Sequence, residues 1–316
     1  MTAALWLRSR AKLNLCLGVT GRRADGYHLL DTVYHELALH DDVAVHLTDG
    51  GVTVGVTADQ GGLLVPADES NLAAQALQSV LNHLGLSSGF HVEIHKRIPS
   101  GGGLGGGSSN AAASLRIANA LLGDVLSDEV VAKLAIGLGA DVPFFLAGGS
   151  QRGQGVGEEL APLEVAGQHF VLILPPYGCA TAEVYKNYAR MLAAKGAEDT
   201  VPRNTAFQGG GGVMASGLYN DLEQAAEQLS PQLGRLRRAV RAAGYERVRM
   251  TGSGSTLFVI CRDPEDAMEC RRTLERSLTG TEHQDVSLLE TQSAIRGASL
   301  RPSPELPQTV RRAPPA

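Results

Sequence analysis

The sequence predicts a mixed α+β protein of two domains, and three observations carry that expectation. Period-2 strand patterns fill much of residues 11–99, a glycine run then passes straight into a helical sequence, and strand and helix patterns resume beyond residues 150–170. At 316 residues the chain is long enough for two hydrophobic cores. The reading divides it into an N-terminal domain over 1–160, a C-terminal domain over 161–290 and a Pro/Arg-rich tail over 291–316. From Arg296 onward that tail holds five of the chain's 14 prolines and lacks an apolar period, which predicts disorder.

The first strand is "AKLNLCLGV" at 11–19, with Leu13, Leu15, Leu17 and Val19 on one face and Lys12, Asn14, Cys16 and Gly18 on the other. "GRRADGYH" (21–28) reads as a turn, followed by strands at 32–39, 43–48, 51–59 and 91–99. Helical spacing places Leu72, Ala76, Leu77, Val80, Leu81 and Leu84 on one side of a helix over 71–84. After the glycines a helix is expected over 108–122, with Ser108 and Ser109 as N-cap types and Gly123 suited to ending it. Another begins at "SDE" and runs over 128–138. "RGQGVGEELAPL" is hairpin-like and leads into a strand at 169–176. The second half then reads as helices near 181–195, 220–228, 230–243 and 264–277, with strands near 245–250 and 256–261. "FQGGGGVMASG" (207–217) reads as a flexible loop.

Composition narrows the function classes. A formal charge of −5 offers no general attraction to nucleic acid or acidic lipid. Four scattered cysteines form no CxxC pair, and histidines show no metal-ligand spacing. No apolar stretch approaches a span of ~20 residues, so a reducing cytoplasm is the expected home and neither a membrane nor an obligate protein partner is inferred.

The informative stretch is "PSGGGLGGGSSNAAASL" (99–115). A Gly/Ser linker would not run directly into a helix. Gly101, Gly103 and Gly106 satisfy GxGxxG, but within a glycine run the match carries little weight, and several strands precede it where a dinucleotide fingerprint follows the first. A Walker A loop would need lysine at position 108, which is serine. What remains is a backbone cradle for an anion, because glycines let successive N–H groups converge and the helix start adds unpaired amides and its dipole.

This stretch resembles the phosphate-binding motif of the GHMP kinase superfamily, and its doubled glycine triplet is most like that of the 4-diphosphocytidyl-2-C-methyl-D-erythritol kinases. "AKLNLCLGVTGRRADGYHLLDTV" (11–33), "ESNLAAQAL" (69–77), "LGADVPFFLAGG" (138–149), "GVGEEL" (155–160), "TAEVY" (181–185) and "TGSGSTLFV" (251–259) resemble that family in its order, covering about residues 8–285. The resemblance implies an N-terminal domain like ribosomal S5 domain 2 and a C-terminal ferredoxin-like domain. It implies ATP-dependent phosphorylation of the 2-hydroxyl of 4-(cytidine 5'-diphospho)-2-C-methyl-D-erythritol in non-mevalonate isoprenoid precursor synthesis.

The same resemblance assigns roles to residues. Asp141 would accept the proton of the attacking hydroxyl, with helix N-capping as its ordinary alternative, and Lys12 beside it would offset charge on the phosphoryl group. Asn14 would bind substrate. Tyr27 would stack on the cytosine with Tyr185 as the opposite plate, while His28 would bond the base edge and Thr181 would add a polar contact. The ATP side would comprise Pro99, Gly101, Gly102, Gly103, Leu104, Gly105, Gly106, Gly107, Ser108, Ser109 and Asn110. Asn71, Leu72 and Lys96 would lie near the adenine, with a helix cap as the ordinary alternative for Asn71 and an exposed strand-end charge for Lys96. Mg²⁺ would bridge the β- and γ-phosphates, and no carboxylate for it is carried over. "TGSGST" (251–256) would lie beside the substrate or be simply a turn into the next strand. A homoserine or mevalonate kinase would keep the glycine loop without needing "DGYH" or Tyr185. A silent nucleotide-binding module would have no reason for Lys12 with Asp141.

Overall fold

The computed structural model describes residues 4–58, 65–194, 217–294 and 301–302. The 207–217 loop, apart from Gly217, and most of the Pro-rich tail lie outside these residues. Two long antiparallel strands, β1 (Leu5–Arg22) and β2 (His28–Thr48), form the spine of the first sheet. Three register shifts, at Arg10/Lys12, Asn14/Cys16 and Val19/Gly21, bend them. The separate strands expected at 32–39 and 43–48 are one. The polar "HDD" at 40–42 looks like a turn, yet Asp41 is buried and accepts the backbone N–H groups of Arg97 and Ile98, while Asp42 pairs in register with His95.

β3 (Gly51–Ala58) runs parallel to β4 (Gly89–Lys96), with α1 (Leu72–Leu84) between them in sequence. The sheet path is completed by a two-residue strand, Arg301–Pro302, against Leu5 and Trp6, so part of the Pro-rich tail is paired. The glycine loop then leads into α2 (Gly106–Leu121), followed by α3 (Asp128–Leu138), α4 (Val142–Ala147) and the hairpin β5 (Ser150–Gln154) and β6 (Glu159–Pro162). The expected cut at 160 therefore falls inside β6. Helices α1 to α4 cover one face of the sheet, where Val43, Phe90, Val92 and Ile94 meet Leu77, Leu115, Val142 and Phe144.

The second sheet has the order β11–β7–β10–β9, all antiparallel, with β7 His169–Leu174, β9 Arg249–Met250, β10 Leu257–Cys261 and β11 Ser287–Gln292. Helices α5 (Thr181–Ala194), α6 (Glu223–Leu229) and α7 (Pro231–Ala242) precede β9, and α8 (Pro264–Leu278) follows β10, which is the βαββαβ arrangement of a ferredoxin-like domain. β11 escapes the sequence reading because "SLLETQ" barely alternates, and it carries the fold past the expected boundary at 290. Another two-residue strand, β8 (Tyr219–Asn220), belongs to the second half of the chain but pairs parallel with β1.

The two sheets face each other. Leu13 and Leu15 of β1 and Leu104 of the glycine loop pack with Phe170, Leu172 and Phe258. Both faces of β1 are thus covered, so the polar row of Lys12 and Asn14 does not face solvent. It faces the helix side, where the candidate site lies.

Candidate active site

The glycine loop is held from below by its own carbonyls. Lys12 N–H donates to the Leu104 carbonyl at 3.0 Å and Thr256 N–H to the Gly102 carbonyl at 3.3 Å. Turning those oxygens inward leaves the amides at the start of α2 free of intrahelical partners, as every helix start requires. Two glycines are sterically demanded. Gly103 has φ +80, and a Cβ there would lie 2.5 Å from the Thr251 carbonyl oxygen. Gly105 has φ +72, and its Cβ would lie 2.7 Å from the Phe145 ring. "TGSGST" is therefore more than a turn into β10: it is the surface against which the first glycine loop packs.

Gly105 is the N-cap of α2, so the expected serine cap is corrected: the helix begins at Gly106 and no side chain caps it. Ser109 and Asn110 are buried, sharing the Ser9 hydroxyl at 2.8 and 2.6 Å, and tie α2 to β1. Ser108 is half-buried at the helix start, with Gly107 exposed beside it and Pro99 half-buried at the loop's other end. Leu72 lies 3.5 Å from where a Cβ of Gly107 would stand, bringing α1 to the loop. Asn71 is the cap of α1: its side chain accepts Ala73 N–H at 2.9 Å and donates to the Pro66 carbonyl at 2.7 Å. Leu104 turns inward to the core and does not line the loop mouth.

Lys96 is also not an exposed strand-end charge. It is 2% exposed and paired at 2.5 Å with Asp41, which is itself fully buried. A Cβ on Gly106 would lie 3.1 Å from the Lys96 ammonium, so the pair sits directly beneath the α2 N-terminus.

Lys12 and Asp141 come together from opposite sides of the sequence. Lys12 is 3% exposed, bonds Asn14 Oδ1 at 2.6 Å and lies 3.4 Å from Asp141 Oδ2. Asp141 occupies the N-cap position of α4 without making a side-chain cap bond. Its carboxylate instead accepts the Tyr34 hydroxyl at 3.1 Å on Oδ1. A half-exposed carboxylate beside a buried ammonium, next to an anion cradle, can take a proton from a hydroxyl while the cation offsets phosphoryl charge. The Asn14 amide is fixed further by donating to Thr32 Oγ1 at 2.8 Å.

At the other end of the site, His28 stacks on Tyr185 with ring centroids 4.9 Å apart and an interplanar angle of 28°. The ring against Tyr185 is thus His28, and Tyr27, 65% exposed, stands outside this pair. Burial, with Asp141 as a lesser cause, pushes the Tyr185 phenol up. Thr181 bonds Ser253 Oγ at 2.8 Å, joining α5 to the second glycine turn. That turn is anchored by Asn220, whose amide donates to the Met250 and Gly252 carbonyls at 2.8 Å each.

Comparison with known proteins fits this layout. Residues 71–149 match the GHMP kinases N terminal domain and residues 208–279 the GHMP kinases C terminal domain. A 4-diphosphocytidyl-2-C-methyl-D-erythritol kinase of Pseudarthrobacter chlorophenolicus is 35% identical over 307 residues, covering 93% of this chain and 94% of its own. The chain belongs to this kinase family. A relative of the same name from Desulfitobacterium hafniense is 37% identical over 81% of this chain and 87% of its own. A crystal structure of 4-(cytidine 5'-diphospho)-2C-methyl-D-erythritol kinase superposes with TM-score 0.68 at 31% identity, covering 92% of this chain and 99% of that one. L. major mevalonate kinase reaches TM-score 0.67 at 18% identity over 93% and 97% of the chains, which reports the shared fold alone.

Sequence reading missed several residues that this family member places at the site. Ser9 and Tyr34 sit in or beside segments that look like ordinary strand, Asp41 lies in the polar stretch between two expected strands, and Asn220 opens an expected helix but belongs to β8. The available signal was a polar side chain on a strand whose alternate neighbours are apolar, as with Ser9 three residues before Lys12. That pattern names a face without naming a partner.

Proposed function

We propose that the chain transfers the γ-phosphoryl group of ATP to the 2-hydroxyl of 4-(cytidine 5'-diphospho)-2-C-methyl-D-erythritol, giving the 2-phosphate and ADP, within non-mevalonate isoprenoid precursor synthesis. The observation that carries the reading is the Lys12–Asp141 pair, 3.4 Å apart, beside a glycine loop that runs into the start of α2, where the first amides have no intrahelical acceptor. Asp141 accepts the hydroxyl proton, Lys12 offsets charge on the transferred group, and the amides at the start of α2 hold the phosphates for in-line displacement. Asn14, His28, Thr181 and Tyr185, with Tyr27 at the rim, receive the cytidylyl substrate. Its cytosine would stack on the aromatic surface, a contact worth about 1–3 kcal/mol in single-stranded nucleic-acid complexes.

Among the described residues no group of three or more His, Cys, Asp or Glu could hold a metal ion. This fits Mg²⁺ arriving on the nucleotide, since Mg²⁺ is held largely by substrate phosphates and water with one or two protein oxygens. Ser108 at the start of α2 is the residue that would meet it, and Mg²⁺ when bound would supply charge neutralisation on the phosphates. We further propose a functional division near residue 160 and a cytoplasmic location. No described helix is long and apolar enough to cross a membrane, and the four cysteines are free thiols.

The test is ADP release with the cytidylyl substrate, homoserine and mevalonate, for wild type and Asp141→Ala. We expect turnover of the first alone, lowered by about 10³-fold in the variant, on the scale by which removal of a single catalytic group slows other enzymes. Turnover of homoserine or mevalonate instead removes the substrate assignment, and an active Asp141→Ala removes the base.

A further inference from the structure

The Asp141 carboxylate has little to hold its orientation. It makes no cap bond, and Lys12 spends its short hydrogen bond on Asn14, leaving 3.4 Å to Asp141 Oδ2. That separation is beyond a good N–H···O bond. The nearest donor is the Tyr34 hydroxyl, 3.1 Å from Oδ1.

Tyr34 is itself rigidly seated. It is 1% exposed, pairs across β1 with Asn14 and lies against Phe144 at 4.9 Å between ring centroids. The β5–β6 hairpin closes around its far side. A Cβ at Gly157 would stand 2.3 Å from the Tyr34 hydroxyl oxygen, and one at Gly153 2.6 Å from the ring edge. The glycines of "RGQGVGEEL" therefore have a use that their hairpin alone does not explain. Burial foremost, with Asp141 next, pushes the Tyr34 phenol well up, so it stays protonated and donates.

We propose that Tyr34 is a positioning residue for phosphoryl transfer: its hydroxyl pins Asp141 through Oδ1, and the glycine hairpin over residues 153–157 pins Tyr34. Oδ2 is then the oxygen presented to Lys12 and to the substrate hydroxyl. The hydroxyl proton passes to Oδ2 as the new O–P bond forms and the bond from the γ-phosphorus to its bridging oxygen breaks, releasing ADP. The inference rests on Asp141 being the base. Around this carboxylate the charged and titratable groups are Lys12 from β1, Tyr34 from β2 and Tyr185 from α5, with Glu158 of the hairpin turn facing Tyr34.

Tyr34→Phe keeps the ring and removes only the donor. A base freed to rotate should lower kcat about 10- to 100-fold, the scale of a misplacement near 1 Å, with KM for both substrates unchanged. Gly157→Ala, which crowds the hydroxyl while keeping it, should give the same signature and serves if Tyr34→Phe folds poorly. Wild-type kcat in Tyr34→Phe overturns the inference. So does a raised KM for the cytidylyl substrate at unchanged kcat, which would make Tyr34 a substrate contact. An active Asp141→Ala would instead remove the base reading beneath it, and the two failures are told apart by that variant.

Discussion

The buried pair beneath the glycine loop yields the most quantitative prediction. In Lys96→Met the ammonium is replaced by a side chain of similar length, and Asp41 keeps two of its three donors, the N–H groups of Arg97 and Ile98 at 2.7 and 2.8 Å. Breaking a buried pair by removing one partner costs about 3–5 kcal/mol because the other charge is stranded, and the two remaining donors put the cost near the low end, about 3 kcal/mol. For a domain of this size that corresponds to a fall in Tm on the order of 6–12 °C. The double variant Asp41→Asn with Lys96→Met strands no charge and should recover much of the loss. Because Asp41 fixes the chain at Ile98, directly ahead of the loop, the single variant should also raise KM for ATP more than KM for the cytidylyl substrate. Urea or thermal unfolding with steady-state kinetics measures both. A loss below about 1 kcal/mol, or a double variant no more stable than Lys96→Met, would refute the reasoning that burial makes this pair interdependent.

Two further perturbations test other parts of the structure. Gly103→Ala forces a side chain into φ +80 and to within 2.5 Å of the Thr251 carbonyl, so KM for ATP should rise by about tenfold or more, as a cost of 1–2 kcal/mol for the left-handed conformation alone implies; unchanged ATP kinetics would mean the two glycine loops do not bear on each other. His35 is buried between Ser150 and Ser293, and burial pushes its imidazole down from 6.5 to about 4. The unfolded chain therefore binds a proton that the folded one refuses between those values. The associated stability is present in full above about pH 6.5 and is lost as pH falls toward 4, on the order of 3 kcal/mol in total. His35→Gln should flatten that slope in unfolding measurements, and an unchanged slope would assign it to other groups.

Much of the site could be read from the chain because its signals are local. The glycine run followed at once by a helical sequence gives a cradle and its helix start, and residue spacing puts Lys12 and Asn14 on one strand face. Other features were hidden because their meaning depends on segments far away in sequence. Lys96 looks like a solvated strand end until Asp41, 55 residues earlier, is brought against it. Ser109 and Asn110 look like phosphate ligands until the Ser9 hydroxyl of β1 is found holding both. Likewise "HDD" at 40–42 reads as a turn only while the amides that satisfy Asp41 are out of view.

By itself, then, the sequence determined the class of architecture and the glycine turn at a helix start, because periodicity, turn chemistry and short motifs act over a few residues, and its resemblance to the kinase family pointed to Lys12 and Asp141. The tertiary structure decided orientation and support. Bulges in β1 set Lys12 opposite Glu36 and Asn14 opposite Tyr34, and packing of the two sheets pressed one glycine turn against the other. Tyr34 bonds a carboxylate 107 positions away. Such contacts cost chain entropy that only the assembled core can offset, so no local pattern records them.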